Sequence, residues 1–319
     1  MSRALPTELM SAAAHEILQF STAELRECAQ SLSSGYRSRE HIQHTLSPIE
    51  RAAYLAVRFP STYSVARHVW RQVFTRIDSN HLKSILDVGA GPGTASLALL
   101  ELLASVEVTL LERDVGWKPI AQALALAVGS KPVLVPGSIE GSIASQRHDA
   151  VIACYVLNEL PAVALTSAVE TLWERSEQIL IVIEPGTPLG FGVVRCVRDI
   201  LLKNGGHVIA PCTHDLACPM QDQDWCHASL RLSRSEIHRQ IKSAELSYED
   251  EKFSFVAISR QPLEALALGR IIAKPIQAKG HVHLDICRDG AINRVTYSKK
   301  QGALYTAARD ASWGALSPD

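Results

Sequence analysis

From Leu82 to Glu184 the chain alternates short apolar runs with helical stretches, and this alternation constrains the fold more than any other feature. Ser84–Val88, Val106–Glu112, Pro132–Val135, Asp149–Cys154 and Gln178–Glu184 read as strands. Thr94–Leu103, Lys118–Val128 and Thr166–Arg175 read as the helices among them. Strands and helices at this spacing form βαβ units, which pack as a parallel sheet covered by helices. The expected class is α/β, a doubly wound, mostly parallel sheet.

Other segments flank this unit. Residues 1–80 read as helical, with Leu9, Ala13, Ile17 and Leu18, then Leu25, Cys28 and Leu32, at helical spacing, and a further stretch from Pro48 to Ile77. Ser33-Ser34-Gly35 and Phe59-Pro60-Ser61 read as breaks. After Glu184 come a helix over Phe191–Lys203, a cysteine-bearing segment over 205–234, a helix over Arg234–Ala244 and an alternating strand over Lys252–Ser259. Glu249-Asp250-Glu251 reads as a polar turn before that strand, or as carboxylates supporting the cysteine segment. Gln261-Pro262 to Gly269 reads as a boundary, followed by three β-like runs, Arg270–Ala273, Val282–Cys287 and Ala291–Tyr297. The expected division is a helical region 1–80, an α/β domain 81–260 that includes the insertion 205–234, and a small β-rich lobe 261–319.

Hydrophobic residues at 47% and charged residues at 20% allow a sizeable core. A net charge of −1 excludes a globally basic nucleic-acid binder and leaves room for local basic faces. Tyr36–Arg76 holds seven Arg against two Glu, interleaved with Tyr54, Tyr63 and Trp70. That pattern fits a solvated helix face or a phosphate-facing surface. Arg270–Arg309 holds eight Lys and Arg against two Asp. No run approaches the ~20 apolar residues of a membrane span, and the N-terminus has neither a secretory pattern nor the Arg-richness of a mitochondrial presequence. The expectation is a monomer with no membrane partner, cytoplasmic in a bacterium and mitochondrial in a eukaryote.

Asp87-Val-Gly89-Ala90-Gly91-Pro-Gly93 follows a strand and opens a helix. Glycines there let backbone N–H groups approach a ligand. The G-x-G-x-G spacing differs from the dinucleotide fingerprint G-x-G-x-x-G. It resembles motif I of class I S-adenosylmethionine-dependent methyltransferases, a Rossmann-like fold. Glu112, closing the second strand, matches the acidic residue that in that superfamily accepts both ribose hydroxyls, a task for which two carboxylate oxygens are suited. The resemblance further places Ser138 and Ile139 near the adenine, with the usual acidic residue replaced by Ser138 or displaced to Glu140. Cys154-Tyr155-Val156-Leu157-Asn158-Glu159-Leu160-Pro161 stands where many methyltransferases face their substrate, yet it carries neither an Asn/Asp-Pro-Pro-aromatic motif nor a Pro-Cys nucleophile. Cys154 reads as a buried strand-end thiol. No general base is identified, and the catalytic residues are unknown. A methyl sulfonium is already activated, so positioning alone could suffice.

Seven cysteines without a secretory signal argue against a disulfide framework. Cys212, Cys218 and Cys226 follow a C-x5-C-x7-C spacing, and Cys287 lies far downstream. Four thiolates suit a cubane iron–sulfur cluster. Zinc is the chemical alternative, with His214 and His227 as further donors. A radical S-adenosylmethionine loop, Cys-x3-Cys-x2-Cys, is absent from the sequence.

Cys212-Thr-His214-Asp215-x-x-Cys218-Pro219, Trp225-Cys226-His227, Tyr248–Ser254, Gly280-His281-Val282-x-Leu284-x-x-Cys287, Glu184-Pro185-Gly186-Thr187-Pro188 and Trp313-Gly314 together resemble one family. It is the methyltransferase-like proteins of mitochondrial small-ribosomal-subunit assembly and their bacterial relatives, and the match runs from Tyr36 to Gly314. The resemblance implies S-adenosylmethionine as cofactor, a [4Fe-4S] cluster on Cys212, Cys218, Cys226 and Cys287, and small-subunit rRNA as partner. The sequence departs from the family at Thr213, where proline is usual, and at Ala228, where an aromatic often follows Cys-His. Three functions stay open at this point: an rRNA methyltransferase, a non-catalytic rRNA-binding assembly or checkpoint factor, and a small-molecule methyltransferase with structural zinc. His281 and His283 are expected on one exposed strand face, open to an RNA contact.

Overall fold

The protein is described from a computed structural model that covers residues 5–38, 45–139, 141, 146–221, 223–264 and 268–318, the side chains of 34–38 excepted. Glu140, Glu40 and Arg39 lie outside the described residues.

Four helices come first: α1 (Thr7–Ile17), α2 (Thr22–Ser38), α3 (Pro48–Val57) and α4 (Phe59–Phe74). The helix α2 continues through Ser33-Ser34-Gly35, where the sequence predicts a break. An internal glycine costs only about 1 kcal/mol against alanine, and Leu25 and Leu32 on this helix are buried. A capping box starts α3: the Ser47 hydroxyl accepts from the Glu50 N–H, the Glu50 carboxylate accepts from the Ser47 N–H, and Pro48 occupies the first turn. Pro60 separates α4 from α3 as expected.

Two arginines of the Arg-rich stretch fit neither reading, while Arg71 is exposed. Arg51 and Arg67 are 9% and 5% exposed. They pair with Asp114 at 2.9 Å and Glu101 at 2.7 Å. The interleaved Tyr63 and Trp70 are core residues, and the Trp70 indole N–H donates to the Ala95 carbonyl. An arginine on a sequence-amphipathic face becomes internal when a distant carboxylate meets it, which no local pattern records.

The α/β unit follows with β1 (Ser84–Val88), α5 (Thr94–Leu100), β2 (Glu107–Glu112), α6 (Lys118–Ala127), β3 (Val133–Pro136), β4 (His148–Cys154), α7 (Ala162–Arg175), β5 (Ser176–Pro185) and α8 (Pro188–Lys203). Next come β6 (His207–Ala210), β7 (Ala228–Ser233), α9 (Glu236–Lys242) and β8 (Tyr248–Ser259). The sheet order is β3-β2-β1-β4-β5-β8-β6, and β7 also pairs with β8. The strands β1 to β5 run parallel, while β8 is antiparallel to β5, β6 and β7. This is the expected doubly wound, mostly parallel, Rossmann-like arrangement. Its topological switch point lies between β1 and β4, where ligands of such sheets bind. The near-continuous apolar runs of β4 and β5 reflect burial on both faces.

One local expectation fails here. The cysteine segment contains the strands β6 and β7, and Glu249-Asp250-Glu251 belongs to β8 rather than a turn. Two of these carboxylates brace the end of the cysteine segment, through Arg231 on β7 and Arg234. Glu249 meets Arg234, Lys242 and His238, Asp250 meets Arg231, and Glu251 meets Arg58. They knit β8 to β7, α9 and α3–α4.

A second, antiparallel sheet holds β9 (Arg270–Ile271), β10 (Ile276–Ala278), β11 (His281–Arg288) and β12 (Ala291–Ser298), followed by α10 (Ala303–Asp310). Val282, Leu284, Ile286 and Tyr297 form its core with Ile271 and Ala308. The opposite face of β11 carries His281, His283, Asp285 and Cys287, so the two histidines share a face as expected. The strand β10 and the helix α10 are too short or too polar to stand out in the sequence.

Candidate functional site

Two centres stand at the carboxyl edge of the large sheet and beyond its antiparallel end. The first is the glycine loop. Gly89 has φ +63, and a Cβ there would lie 2.5 Å from Val156 Cγ2, so only glycine fits. The N–H groups of Gly89 and Ala90 donate to the Leu111 carbonyl, at 2.9 and 3.2 Å, and moor the loop to β2. Asp87 works from beneath: it is 1% exposed, and its carboxylate accepts from the Ser96 N–H and hydroxyl at 3.0 and 2.7 Å. Burial pushes its carboxyl up to about 7. It fixes the turn of the loop onto α5, which spans Gly91 and Gly93.

Glu112 accepts from the Gly91 N–H and the Asp114 N–H, each at 2.8 Å. Burial raises its carboxyl above the usual range. Each carboxylate oxygen retains a second lone pair, the capacity a diol needs. Ser138 and Ile139 follow β3 beside the end of β2, where the Gly137 N–H donates to the Glu112 carbonyl. Ile139 is buried against Leu86, Val88 and Leu111, so it shapes the floor of this edge from the core.

Sequence reasoning misses what closes the loop from the side. Arg51 of α3 donates to both Asp114 oxygens, at 2.9 and 3.1 Å, and Asp114 also accepts from the N–H groups of Gly116 and Leu46. The Arg51 guanidinium lies 5.9 Å from the Trp117 ring centre, Tyr54 meets that ring edge-on, and the ring reaches to 4.0 Å from the Cβ position of Gly91. The N-terminal helices thus wall the glycine loop.

The loop after β4 forms the opposite wall. Glu184 is fully buried at the end of β5, and one oxygen accepts from the N–H groups of Leu157 and Asn158 at 2.9 and 3.3 Å. Its other oxygen has no hydrogen-bond partner, and burial pushes the carboxyl up to about 8. Glu159 is raised by burial to about 7, with Arg113 3.8 Å away. Tyr155 adopts φ +60, its hydroxyl is buried without a partner, and Arg58 lies over its ring at 5.6 Å. Burial raises the Cys154 thiol well above its ordinary range, which makes it a poor nucleophile.

The second centre is the cysteine cavity. Cys212, Cys218, Cys226 and Cys287 line one pocket together with Arg198, Arg270, Phe191 and Phe253. Cys212 follows β6, Cys226 precedes β7, and Cys287 arrives on β11 of the other sheet, directly across from Arg270. The Cys226 carbonyl accepts from the Ser254 hydroxyl at 2.8 Å. His214 Nε2 stands 3.7 Å from the Cys287 sulfur. Burial raises the Cys212 thiol, and burial followed by the neighbouring thiols raises Cys226 far upward and Cys287 to about 12. Cys212, Cys226 and Cys287, so raised, stay protonated at neutral pH unless a cation binds them. Among the described residues no group of three or more His, Cys, Asp and Glu is arranged to hold a single metal ion. Four cysteines and two arginines line the one pocket, a donor set of the composition that a four-thiolate group takes. Beside it, Trp225 stacks on His227 at 5.5 Å, and His227 meets Trp313 at 4.3 Å. The Trp225 indole donates to the Gly186 carbonyl at 3.1 Å, linking the cavity to the loop after β5. Ala228 lies 3.5 Å from the Cβ position of Gly314, so the C-terminal segment passes where an aromatic would stand.

Comparison with known proteins places the chain in a family. The human mitochondrial ribosome assembly protein METTL17 is 28% identical over 288 residues, covering 83% of this chain and 62% of that protein. Rsm22-cox11 tandem protein 2, mitochondrial, of Schizosaccharomyces pombe is 26% identical over 295 residues, covering 73% of this chain and 38% of that protein. The chain therefore spans less than two thirds of either relative. Among solved structures, magnesium protoporphyrin IX methyltransferase from Synechocystis with bound SAM superposes with a TM-score of 0.42 and 15% identity, over 72% of this chain and 92% of that one. The family model described as mitochondrial small ribosomal subunit Rsm22 matches residues 48–318, and by that match over most of its length the chain belongs to the Rsm22 family.

Proposed function

We propose that the protein is an assembly factor of the small ribosomal subunit that binds its rRNA. In this reading it holds S-adenosylmethionine against Asp87, Gly89, Ala90, Gly91, Gly93, Glu112, Ser138 and Ile139. Cys212, Cys218, Cys226 and Cys287 carry a [4Fe-4S] cluster. The observation that carries the reading is the shared pocket of four thiols drawn from both sheets. When bound, the cluster supplies structural cross-linking of the two sheets and a one-electron redox couple. The chain's own contribution is to gather the thiols, exclude water with Phe191 and Phe253, and balance charge with Arg198 and Arg270. The protein acts as a monomer, in mitochondria when its source is eukaryotic and in the cytoplasm when bacterial.

The groups at the carboxyl edge favour binding over catalysis. Glu184 is held by two loop amides and remains protonated near pH 7, so it offers no general base. The unpartnered Tyr155 hydroxyl and Glu184 oxygen favour a second reading, rRNA methylation, in which they hold the acceptor.

Anaerobic purification with iron, sulfide and zinc analysis tests the proposal. Near-equal iron and sulfide that vanish in Cys287→Ser are expected. Stoichiometric zinc without iron would replace the cluster with a structural ion, and no metal at all would sink the four-thiolate reading. Small-subunit rRNA binding that weakens steeply with salt tests the partner, because each phosphate contact releases counterions.

A further inference from the structure

Arg198 stands apart from the other deeply buried arginines. Arg51 and Arg67 each make a close ion pair with a carboxylate. Arg198 is 3% exposed, yet its nearest described carboxylate, on half-exposed Asp199, is 3.7 Å away. One terminal nitrogen, Nη2, donates to the carbonyls of His214 and Leu216, at 3.0 and 2.6 Å, inside the Cys212–Cys218 loop. The remaining nitrogens, Nε and Nη1, are buried without hydrogen-bond partners. Arg198 also lines the thiol pocket. Arg270, across from Cys287, repeats the pattern: Nε and Nη1 donate to the Pro211 and Gly314 carbonyls at 2.5 and 2.7 Å, and the side chain lines the same pocket.

A buried cation needs an anion, or burial costs several kcal/mol. Neutral carbonyls satisfy hydrogen bonds but do not balance charge. Four thiolates around a core of charge +2 leave two net negative charges, which two guanidiniums neutralise.

We propose that Arg198 and Arg270 are the counter-charges of the four-thiolate centre and that Arg198, from its buried place in the pocket lining, raises the cluster's reduction potential. The inference rests on the cluster reading above. Reduction adds one electron and one negative charge to the cluster, so a fixed neighbouring cation stabilises the reduced state more than the oxidised one.

The test is a dithionite titration of the anaerobically purified full chain, followed by electron paramagnetic resonance, with iron and sulfide counted in parallel. Removing the charge in Arg198→Gln is expected to lower the reduced-to-oxidised ratio at a fixed ambient potential at least tenfold, or about 59 mV for one electron. Arg198→Lys, which keeps the charge, is expected to lie closer to wild type. Arg270→Gln is expected to shift in the same direction as Arg198→Gln. Should Arg198→Gln fold by circular dichroism but hold no iron, retention of iron by Arg198→Lys supports the charge role. Equal loss in both variants overturns it in favour of loop clamping. A loaded Arg198→Gln with the wild-type potential overturns the inference alone. A wild-type chain without iron and sulfide overturns the cluster reading and this inference with it.

Discussion

The glycine loop and the cysteine cavity reach their geometry by opposite routes. The first takes Asp87, its glycines and Glu112 from one βαβ unit, where chain order and hydrogen-bond register leave little freedom. The second takes three cysteines from an irregular segment and the fourth from a strand in another sheet, with Arg198 and Arg270 holding the pieces. Backbone hydrogen bonds moor the loop without a ligand, whereas the cavity buries guanidiniums whose charge only an anionic centre, such as metal-bound thiolates, would balance. The lesson is that a contiguous site can be structurally complete without its ligand, and an assembled site delegates part of its stability to what it binds.

The largest expected effect separates the two. Cys212→Ser should abolish metal retention and rRNA binding while S-adenosylmethionine binding, followed by calorimetry, survives. Equal loss of both would show that the centres are not separable and would break the comparison. Next, Arg51→Ala should destabilise the fold by about 3–5 kcal/mol in urea unfolding, because Asp114 is left buried without its cation. A change under 1 kcal/mol would mean that the N-terminal helices do not brace the glycine loop through this pair. Glu112→Gln should weaken S-adenosylmethionine binding by about 1.5–3 kcal/mol, roughly ten- to a hundredfold in Kd, and leave iron content alone.

A smaller effect follows from the raised carboxyls. Asp87 near 7 and Glu184 near 8 keep protons in the folded chain that the unfolded chain has already released above about pH 4–5. Stability should therefore fall as pH rises from about 5 to 8, by about 1 kcal/mol per unit for each group, and level off above. Melting curves of Glu184→Gln should show a shallower decline, and an unchanged slope would remove Glu184 from this account. The smallest effect is expected at the exposed Arg294–Asp285 pair on β11 and β12. Arg294→Ala should leave the melting temperature where it was, since surface pairs gain little in water.

Much of the fold was legible before any coordinates. The strands β1 to β5, the helices among them and the glycine turn carry local signals of period, composition and spacing. The errors have a common physical origin. Gly35 sits inside α2 because Leu25 and Leu32 are buried, overriding a local breaker. Glu249-Asp250-Glu251 reads as a turn by polarity, yet its strand is satisfied by cations from β7, α9 and the N-terminal helices. The glycine loop and Glu112 were identifiable from sequence as candidates, whereas Arg51, Asp114 and Trp117 were not, because their meeting joins segments that no short motif spans.

The sequence by itself determined the parallel sheet and the position of the glycine loop, since each follows from periodicity or from residue type at short range, and it singled out the closely spaced Cys212, Cys218 and Cys226. Only the tertiary structure decided that those cysteines and Cys287 line one pocket, that Arg51 and Arg67 turn inward, and that Arg198 and Arg270 line the pocket of the cysteines. Burial and charge pairing are set by what comes near in space, and nearness between distant segments is fixed only when the whole core packs.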